Sequence, residues 1–302
     1  LSKELLKAGV DVRVMCPRYG KIDLDKWNLE MELEGLEVPT QSGFNPLFCN
    51  VRRSEYEGII TYFLENQEYY ELRANEYGYV DDPQRFTLLC RGALEFIRHG
   101  SNNWVPDVIH TNDWQTGLVG QMLSTWYKHD ERLSRIVTMF TIHNLSYQGM
   151  YDHRFGSDLD FDDGKSEIPE FYSPRLSKIN MMRRGIMCAD IVNTVSPTYA
   201  SEILTEEYGA GLHRLLQEVR TKLFGILNGI DYTEFNPETD FHIFDDLLKS
   251  RPEINIENLK DDLHRYFLPY INKLIEIKAN KDSLDGVIVG TSAIQGLSLI
   301  HI

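Results

Sequence analysis

Short apolar segments alternate with longer amphipathic stretches along the chain, and this alternation limits the fold more than any other feature. Strand patterns cover 106–110, 135–144 and 189–196, and helical patterns lie between them at Asp113–His129 and Pro174–Cys188. Strands that alternate with helices in this way form a parallel sheet that the helices cover on both faces. The sequence therefore predicts an α/β fold with a doubly wound parallel sheet.

The same patterns extend this sheet toward the two ends of the chain. Further strands are predicted at 10–15, 59–64 and 222–228, and a further long helix at 83–100. Glycine and proline occur throughout residues 16–57, which are predicted as a loop-rich stretch with room for one hairpin.

Charge and cysteine content narrow the class of protein. The 302 residues include 31 basic and 46 acidic side chains, and the net charge of −15 argues against nucleic acid as a partner. No apolar run reaches the length of about 18 residues that is typical of a membrane-spanning helix. The four cysteines form no CxxC pair, which indicates buried free thiols in a reducing compartment and hence a cytoplasmic protein.

Both ends of the chain have the pattern of an interrupted fold. The chain opens on Leu1 inside a helical pattern that Gly9 ends, and it stops directly after an apolar, strand-like run. We therefore expect residues 1–302 to be an internal piece of a longer protein.

Polar side chains follow four of the predicted strands at the point where each strand ends. In an open parallel sheet, ligands bind beyond the carboxyl ends of the strands. The sequence therefore predicts a site at this edge, with side chains suited to bind sugar hydroxyls or phosphates: His110, Asn112, Asp113, His143, Asn144, Gln148, Ser196 and Asn228.

Several of these residues also have a purely structural interpretation. Asp113 precedes a predicted helix, so it is as well suited to cap that helix as to contact a ligand. His110 is more typical of a structural histidine, and the turn at Asn228 suits a residue that tolerates positive φ. His143 and Asn144 are harder to explain in this way, because an imidazole and an amide are costly to bury without partners.

Other kinds of site have little support. The sequence contains no HxxxH, HExxH, GxSxG, GxxxxGK[ST] or GxGxxG, and no cysteine lies at metal-ligand spacing from a histidine. A metal site formed by His110, Asp113 and His143 is geometrically possible but nonspecific, so we expect neither a metal nor a cofactor. The tyrosine-rich stretch 62–86 suits either sugar binding or a packed loop at the sheet edge.

Four segments share the residues and the order of one known family. They are DVIHTNDWQTGLV (107–119), FTIHNLSYQGMY (140–151), MRRGIMCADIVNTVSPTYASEILTEEYGAGL (182–212) and GILNGIDYTEFNPETD (225–240), and the tyrosine-rich 66–86 matches too. Together they resemble the glycogen synthase and starch synthase family, retaining glycosyltransferases whose GT-B fold has two Rossmann domains. The resemblance implies that residues 1–240 form the Rossmann-like N-terminal half of that fold, without its first strand and glycine-rich loop.

The resemblance also implies a reaction. It is glucosyl transfer from a nucleotide-glucose donor, ADP-glucose in the bacterial and plastid enzymes, to the non-reducing end of an α-1,4-glucan acceptor such as glycogen. The implied catalytic residues are His143, which would contact the donor glucose, and Asp113, which would line the same cleft. The implied substrate-binding residues are Asn144, Tyr70, Gln148 and Asn228. Retention in this fold is thought to need no protein nucleophile and no metal, so catalysis would come from orienting the sugar and stabilising charge on the leaving nucleotide.

Residues 241–302 do not resemble the C-terminal domain of this family and are predicted as an unassigned helical segment followed by a strand. The missing C-terminal domain would carry the nucleotide pocket, so we expect the whole protein to be a glucan synthase and this chain alone to be inactive. Two alternatives stay open, namely a non-catalytic glucan-binding remnant and another sugar transferase of GT-B fold.

Overall fold

A computed structural model describes residues 1–40, 45–150, 162–230 and 300–301. The strands are β1 Arg13–Pro17, β2 Glu30–Val38, β3 Leu47–Tyr56, β4 Ile59–Glu65, β5 Val108–Asn112, β6 Val137–Ile142, β7 Ile191–Thr194, β8 Leu223–Gly225 and β9 Ile300–His301. The α-helices are α1 Ser2–Lys7, α2 Asp82–His99, α3 Val119–Thr125, α4 Met181–Cys188, α5 Pro197–Glu202 and α6 His213–Glu218. Single turns of 3-10 or π helix cover Gln67–Glu71, Trp114–Thr116, Pro174–Lys178 and Arg220–Lys222.

The described strands form one sheet in the order β2-β3-β4-β1-β9-β5-β6-β7-β8. Strands β5 to β8 run parallel to one another, and β1 runs parallel to β4. The prediction of an α/β fold with a parallel sheet is therefore confirmed for the part that holds the candidate site. All four cysteines are free, and three of them are buried.

The sheet also has an antiparallel part. Strands β2 and β3 pair antiparallel, as do β3 and β4, and the two residues of β9 lie antiparallel between β1 and β5. The stretch predicted as loop-rich thus contains two long strands. Its glycine and proline residues do not exclude strands, because Gly35, at φ +71°, lies in a register shift of β2, and Pro39 and Pro46 lie just outside the strands.

Helix α2 packs its length against the sheet and begins with a buried ion pair. Asp82 and Arg85 pair one helical turn apart, and both side chains are 0% exposed. Arg85 Nε also donates to Tyr69 O at 2.6 Å, and Asp82 Oδ2 accepts from Tyr79 N at 3.1 Å. Because buried charges need partners, these bonds give the acidic and basic residues before Phe86 a structural role.

The helix predicted over Asp113–His129 is shorter in the structure. It divides into a 3-10 turn, Trp114–Thr116, and helix α3. Gly117 lies between them, so close to helix α4 that a Cβ there would be 2.1 Å from Met181 O. This close approach of two backbones packs the segment before α3 against α4.

The helix predicted over Pro174–Cys188 is also divided in two. A 3-10 turn covers Pro174–Lys178, and α4 begins after Asn180, which has an extended backbone at φ −96° and ψ 98°. Asn180 Oδ1 accepts from Arg183 N at 2.8 Å and so caps α4.

The chain divides into one compact unit of Leu1–Asn228 with Gly296–Ile302 and a second unit of Gly229–Gln295. The helical segment and strand predicted within residues 241–302 fall almost entirely outside the described residues. That assignment and the boundary at residue 240 stay predictions. Within the described part of the chain, no helix has both the length and the apolar character needed to cross a membrane.

Candidate active site

The carboxyl ends of β5 and β6 bring two predicted catalytic residues together. Asp113 Oδ1 accepts hydrogen bonds from the backbone N–H groups of His143 at 2.8 Å and Asn144 at 3.4 Å. The His143 imidazole is exposed, and its Nε2 lies 3.0 Å from Asn112 Oδ1. Two adjacent residues, the last of β5 and the one that follows it, thus hold the ring and the backbone of His143.

Asp113 has an unusual backbone conformation for a residue with a side chain. Its φ of +55° lies in the region that favours glycine, and its own N–H donates to Thr141 O at 2.9 Å. The side chain does not cap the following 3-10 turn. The structure therefore gives Asp113 a role different from the helix cap considered above: its carboxylate shapes the loop that carries His143.

The electrostatic setting of Asp113 combines opposing effects. Burial raises the pKa of its carboxyl, while His143 and the two bound N–H groups act in the opposite direction. The net direction is upward because desolvation is the largest of these effects. The Asp113 carboxyl thus restrains the backbone of the loop that carries His143.

His110 belongs to a polar chain that crosses three strands. Its Nε2 lies 2.5 Å from Thr141 Oγ1, which donates to Asn193 Oδ1 at 2.5 Å. Burial lowers the pKa of His110 to about 4, with a smaller contribution from His143. His110 is therefore neutral at pH 7 and joins β5 to β6 and β7, in agreement with its structural interpretation.

Gln148 has both ends of its amide bound by the protein. Its Nε2 donates to Ala210 O at 2.7 Å, and its Oε1 accepts from Asn180 Nδ2 at 2.6 Å. The chain then turns at Gly149, where a Cβ would be 2.5 Å from the Trp114 ring. Gln148 thus connects three segments beside the site, and its predicted contact with substrate stays a prediction.

Tyr70 lies in the core. Its side chain is 0% exposed, its hydroxyl donates to Arg85 O at 2.7 Å, and its ring packs edge-to-face on Tyr19. Burial raises its pKa well above the usual value. The structure therefore does not expose Tyr70 beside His143, and for this residue the packed-loop interpretation of the tyrosine-rich stretch agrees with the structure.

The ends of β7 and β8 lie at the same edge of the sheet. Ser196 Oγ accepts from Tyr199 N at 3.0 Å and so caps α5, as predicted. Ile226 N donates to Thr194 O at 2.8 Å, and Asn228, two residues further on, is exposed. Asn228 thus follows β8 as predicted, while its contact with substrate stays a prediction.

Two residues make contacts with the His143 loop that the sequence did not predict. Tyr199 Oη accepts from Leu145 N at 3.3 Å and joins α5 to the loop. Asn112 binds the ring of His143. The position of Asn112 at a strand end was the only signal for it, because no pattern links it to a histidine 31 positions away. Within the described residues, no group of three or more His, Cys, Asp or Glu is arranged to hold a metal ion.

Comparison with known proteins identifies the family to which this chain belongs. Residues 1–218 match the family described as the starch synthase catalytic domain. A glycogen synthase of Caldicellulosiruptor saccharolyticus is 42% identical over 250 residues, which are 81% of this chain and 50% of that protein. A glycogen synthase of Clostridium novyi is 38% identical over 270 residues, or 87% of this chain and 55% of that protein.

A solved structure gives the same result. The catalytic domain of starch synthase IV from Arabidopsis thaliana, bound to ADP and acarbose, matches with a TM-score of 0.66 and 31% identity. The match covers 79% of this chain and 48% of that one, which agrees with the prediction of one half of a GT-B fold. This chain spans about half the length of the relatives that it matches. The matched family, the matched relatives and the parallel sheet together place the chain in the starch synthase catalytic domain family.

Proposed function

We propose that this chain is the N-terminal half of a retaining glucosyltransferase that elongates an α-1,4-glucan such as glycogen or starch. The donor is a nucleotide-glucose, and ADP-glucose is the favoured one because the Arabidopsis structure is bound to ADP, the leaving group of that donor. The observation that carries this proposal is the exposed His143, held by Asn112 and Asp113 at the carboxyl edge of the sheet in a chain of this family.

The chemistry of transfer needs an oriented sugar more than a reactive protein group. His143 and Asn144 are both exposed, and an imidazole and an amide bind sugar hydroxyls well. We assign donor contact to these two side chains and the restraint of their loop to Asp113. Fixed hydrogen-bonding groups lower the barrier by holding the reacting sugar in place before the charge on the leaving group develops.

The remaining substrate-binding proposals differ in directness. Asn228 is exposed beyond β8 and is free to reach a ligand at this edge. Gln148 and Tyr70 already use their polar atoms within the protein. We propose that they affect substrate binding indirectly, through the backbone that they hold in place.

The partners of the site are the donor, the glucan acceptor and a second domain. In a fold with two Rossmann domains, the donor lies between them. The 302-residue chain alone would therefore bind substrate but would not transfer glucose. We infer that the C-terminal half of the relatives supplies the nucleotide pocket.

Incorporation of labelled glucose into glycogen tests this proposal. ADP-glucose and UDP-glucose are offered to the 302-residue chain and to the longer protein, that is, the chain extended to the full length of its relatives. We expect transfer by the longer protein alone, with ADP-glucose preferred. If neither protein transferred glucose but both still bound glycogen, the proposed synthase activity would be wrong and the chain would be a glucan-binding remnant.

A further inference from the structure

The ring of His143 is fixed at one nitrogen only. Its Nε2 lies 3.0 Å from Asn112 Oδ1, and no described residue forms a hydrogen bond with its Nδ1. Because the imidazole is exposed, Nδ1 is open to a ligand at the sheet edge. The two nitrogens therefore have different tasks, one toward the protein and one toward solvent.

Asn112 is itself rigidly held. Its backbone N–H donates to Thr116 Oγ1 at 2.7 Å, and the same hydroxyl donates back to Asn112 O at 2.8 Å. Thr116 is 0% exposed. Asn112 also pairs with Thr141, two residues before His143, in the parallel register of β5 and β6. The amide of Asn112 thus stands on a fixed backbone.

The chemistry of the amide decides the state of the ring. An amide oxygen only accepts hydrogen bonds, so the proton of a neutral imidazole must be on the nitrogen that faces it. With the proton on Nε2, Nδ1 has a lone pair and accepts a hydrogen bond. A sugar hydroxyl, which is both donor and acceptor, can donate to that lone pair.

We propose that Asn112 is a positioning residue that fixes His143 in the Nε2–H tautomer, so that Nδ1 accepts a hydrogen bond from a hydroxyl of the donor sugar. This inference rests on the proposed function for the identity of the ligand, but not for the state of the ring. Among the described residues, the titratable side chains that interact electrostatically with His143 are Asp113 and His110.

Nitrogen-15 NMR of the 302-residue chain, labelled at histidine, tests the tautomer directly. Spectra are recorded above pH 7.5, where an ordinary imidazole is neutral, and the His143 signals are assigned by their loss in His143→Gln. We expect a protonated Nε2 and an unprotonated Nδ1 in the wild type. Asn112→Leu removes the acceptor and should give a mixture of tautomers, while Asn112→Asp keeps an oxygen at that position and should restore the Nε2–H form.

Asn144→Leu is the matched control, because the Asn144 amide oxygen accepts from Ser146 N and, among the described hydrogen bonds, the only one to the imidazole comes from Asn112. In this variant, His143 should have the same tautomer as in the wild type. An Nδ1–H tautomer in the wild type would overturn the proposal even if Asn112→Leu failed to fold. The same tautomer in the wild type and in a folded Asn112→Leu would overturn it as well.

Steady-state kinetics of the longer protein test whether Nδ1 of His143 binds the donor sugar, independently of the tautomer that NMR reports. Asn112→Leu should lower kcat/KM for ADP-glucose roughly ten-fold, the size of one lost hydrogen bond, and Asn112→Asp should recover most of it. Unchanged kinetics in a folded Asn112→Leu would overturn the role of Nδ1 in sugar binding. No transfer by the wild type would instead defeat the proposed function, while the NMR result would still decide the tautomer.

Discussion

Asp113 combines two features that are unfavourable by themselves, a left-handed backbone and a partly desolvated carboxylate. A non-glycine residue in such a conformation costs on the order of 1–3 kcal/mol. The cost is offset by three hydrogen bonds, one from its own N–H to Thr141 O and two to Oδ1 from the backbone of His143 and Asn144. The backbone strain at Asp113 lowers the stability of the fold, whereas its hydrogen bonds fix the loop beside the candidate site.

Substitutions of Asp113 separate the strain from the hydrogen bonds. Asp113→Asn keeps an oxygen acceptor and has the same backbone strain, so its free energy of unfolding should stay close to that of the wild type. Asp113→Ala keeps the strain but loses the acceptor of two hydrogen bonds, and should unfold more easily by about 1–3 kcal/mol in urea. Asp113→Gly removes the strain of the positive φ but also the acceptor, so its free energy of unfolding should lie between those of the Asn and Ala variants. Equal stability of the Asn and Ala variants would contradict this role of the carboxylate.

The buried His110 predicts a dependence of stability on pH. Its pKa is about 4 in the folded chain and about 6.5 when unfolded, so the unfolded state binds more protons between these values. Stability should therefore fall as pH decreases from about 6.5 to about 4, by about 2–3 kcal/mol from this residue. Urea unfolding of the wild type and His110→Gln at pH 7 and pH 4.5 measures the difference. The same pH dependence in both proteins would remove His110 as its source.

At the scale of the element, the sequence patterns located the strands of the parallel sheet well but overestimated two helices. At each division the chain contacts a distant segment: Gly117 approaches the backbone of Met181, and Asn180 binds Gln148. Asn180 N also donates to Asp162 Oδ2 at 2.8 Å. A local helical period cannot report such contacts, because they depend on residues that are far apart in sequence.

Gly117 should be sensitive to the smallest substitution. A Cβ at this position would lie 2.1 Å from a backbone oxygen, which has no freedom to rotate away. Gly117→Ala should therefore lower the free energy of unfolding by about 1–3 kcal/mol or more. The control is Gly229→Ala, where a Cβ would meet nothing within 4 Å. If the two variants had equal melting temperatures, the close packing of the 3-10 turn on α4 would be refuted.

At the scale of the whole molecule, the sequence was sufficient to predict the sheet edge at which His143, Asp113 and Asn228 follow their strands. It could not predict the burial of Tyr70, because a tyrosine-rich loop has the same composition whether it packs inward or binds sugar. It also gave no sign that Asn112 would hold the ring of His143, since that contact exists only once β5 and β6 are paired. The edge is thus encoded locally, and the arrangement within it depends on the packed fold.

The central claim is that His143 acts on the donor sugar, and its most direct test is the rate of glucose transfer from ADP-glucose by the longer protein carrying His143→Ala. We predict a fall in kcat of about 100-fold or more, with an unchanged circular dichroism spectrum. His129→Ala, which replaces another exposed histidine in the loop after α3, should leave kcat as in the wild type. Turnover by His143→Ala at the wild-type rate would contradict the claim.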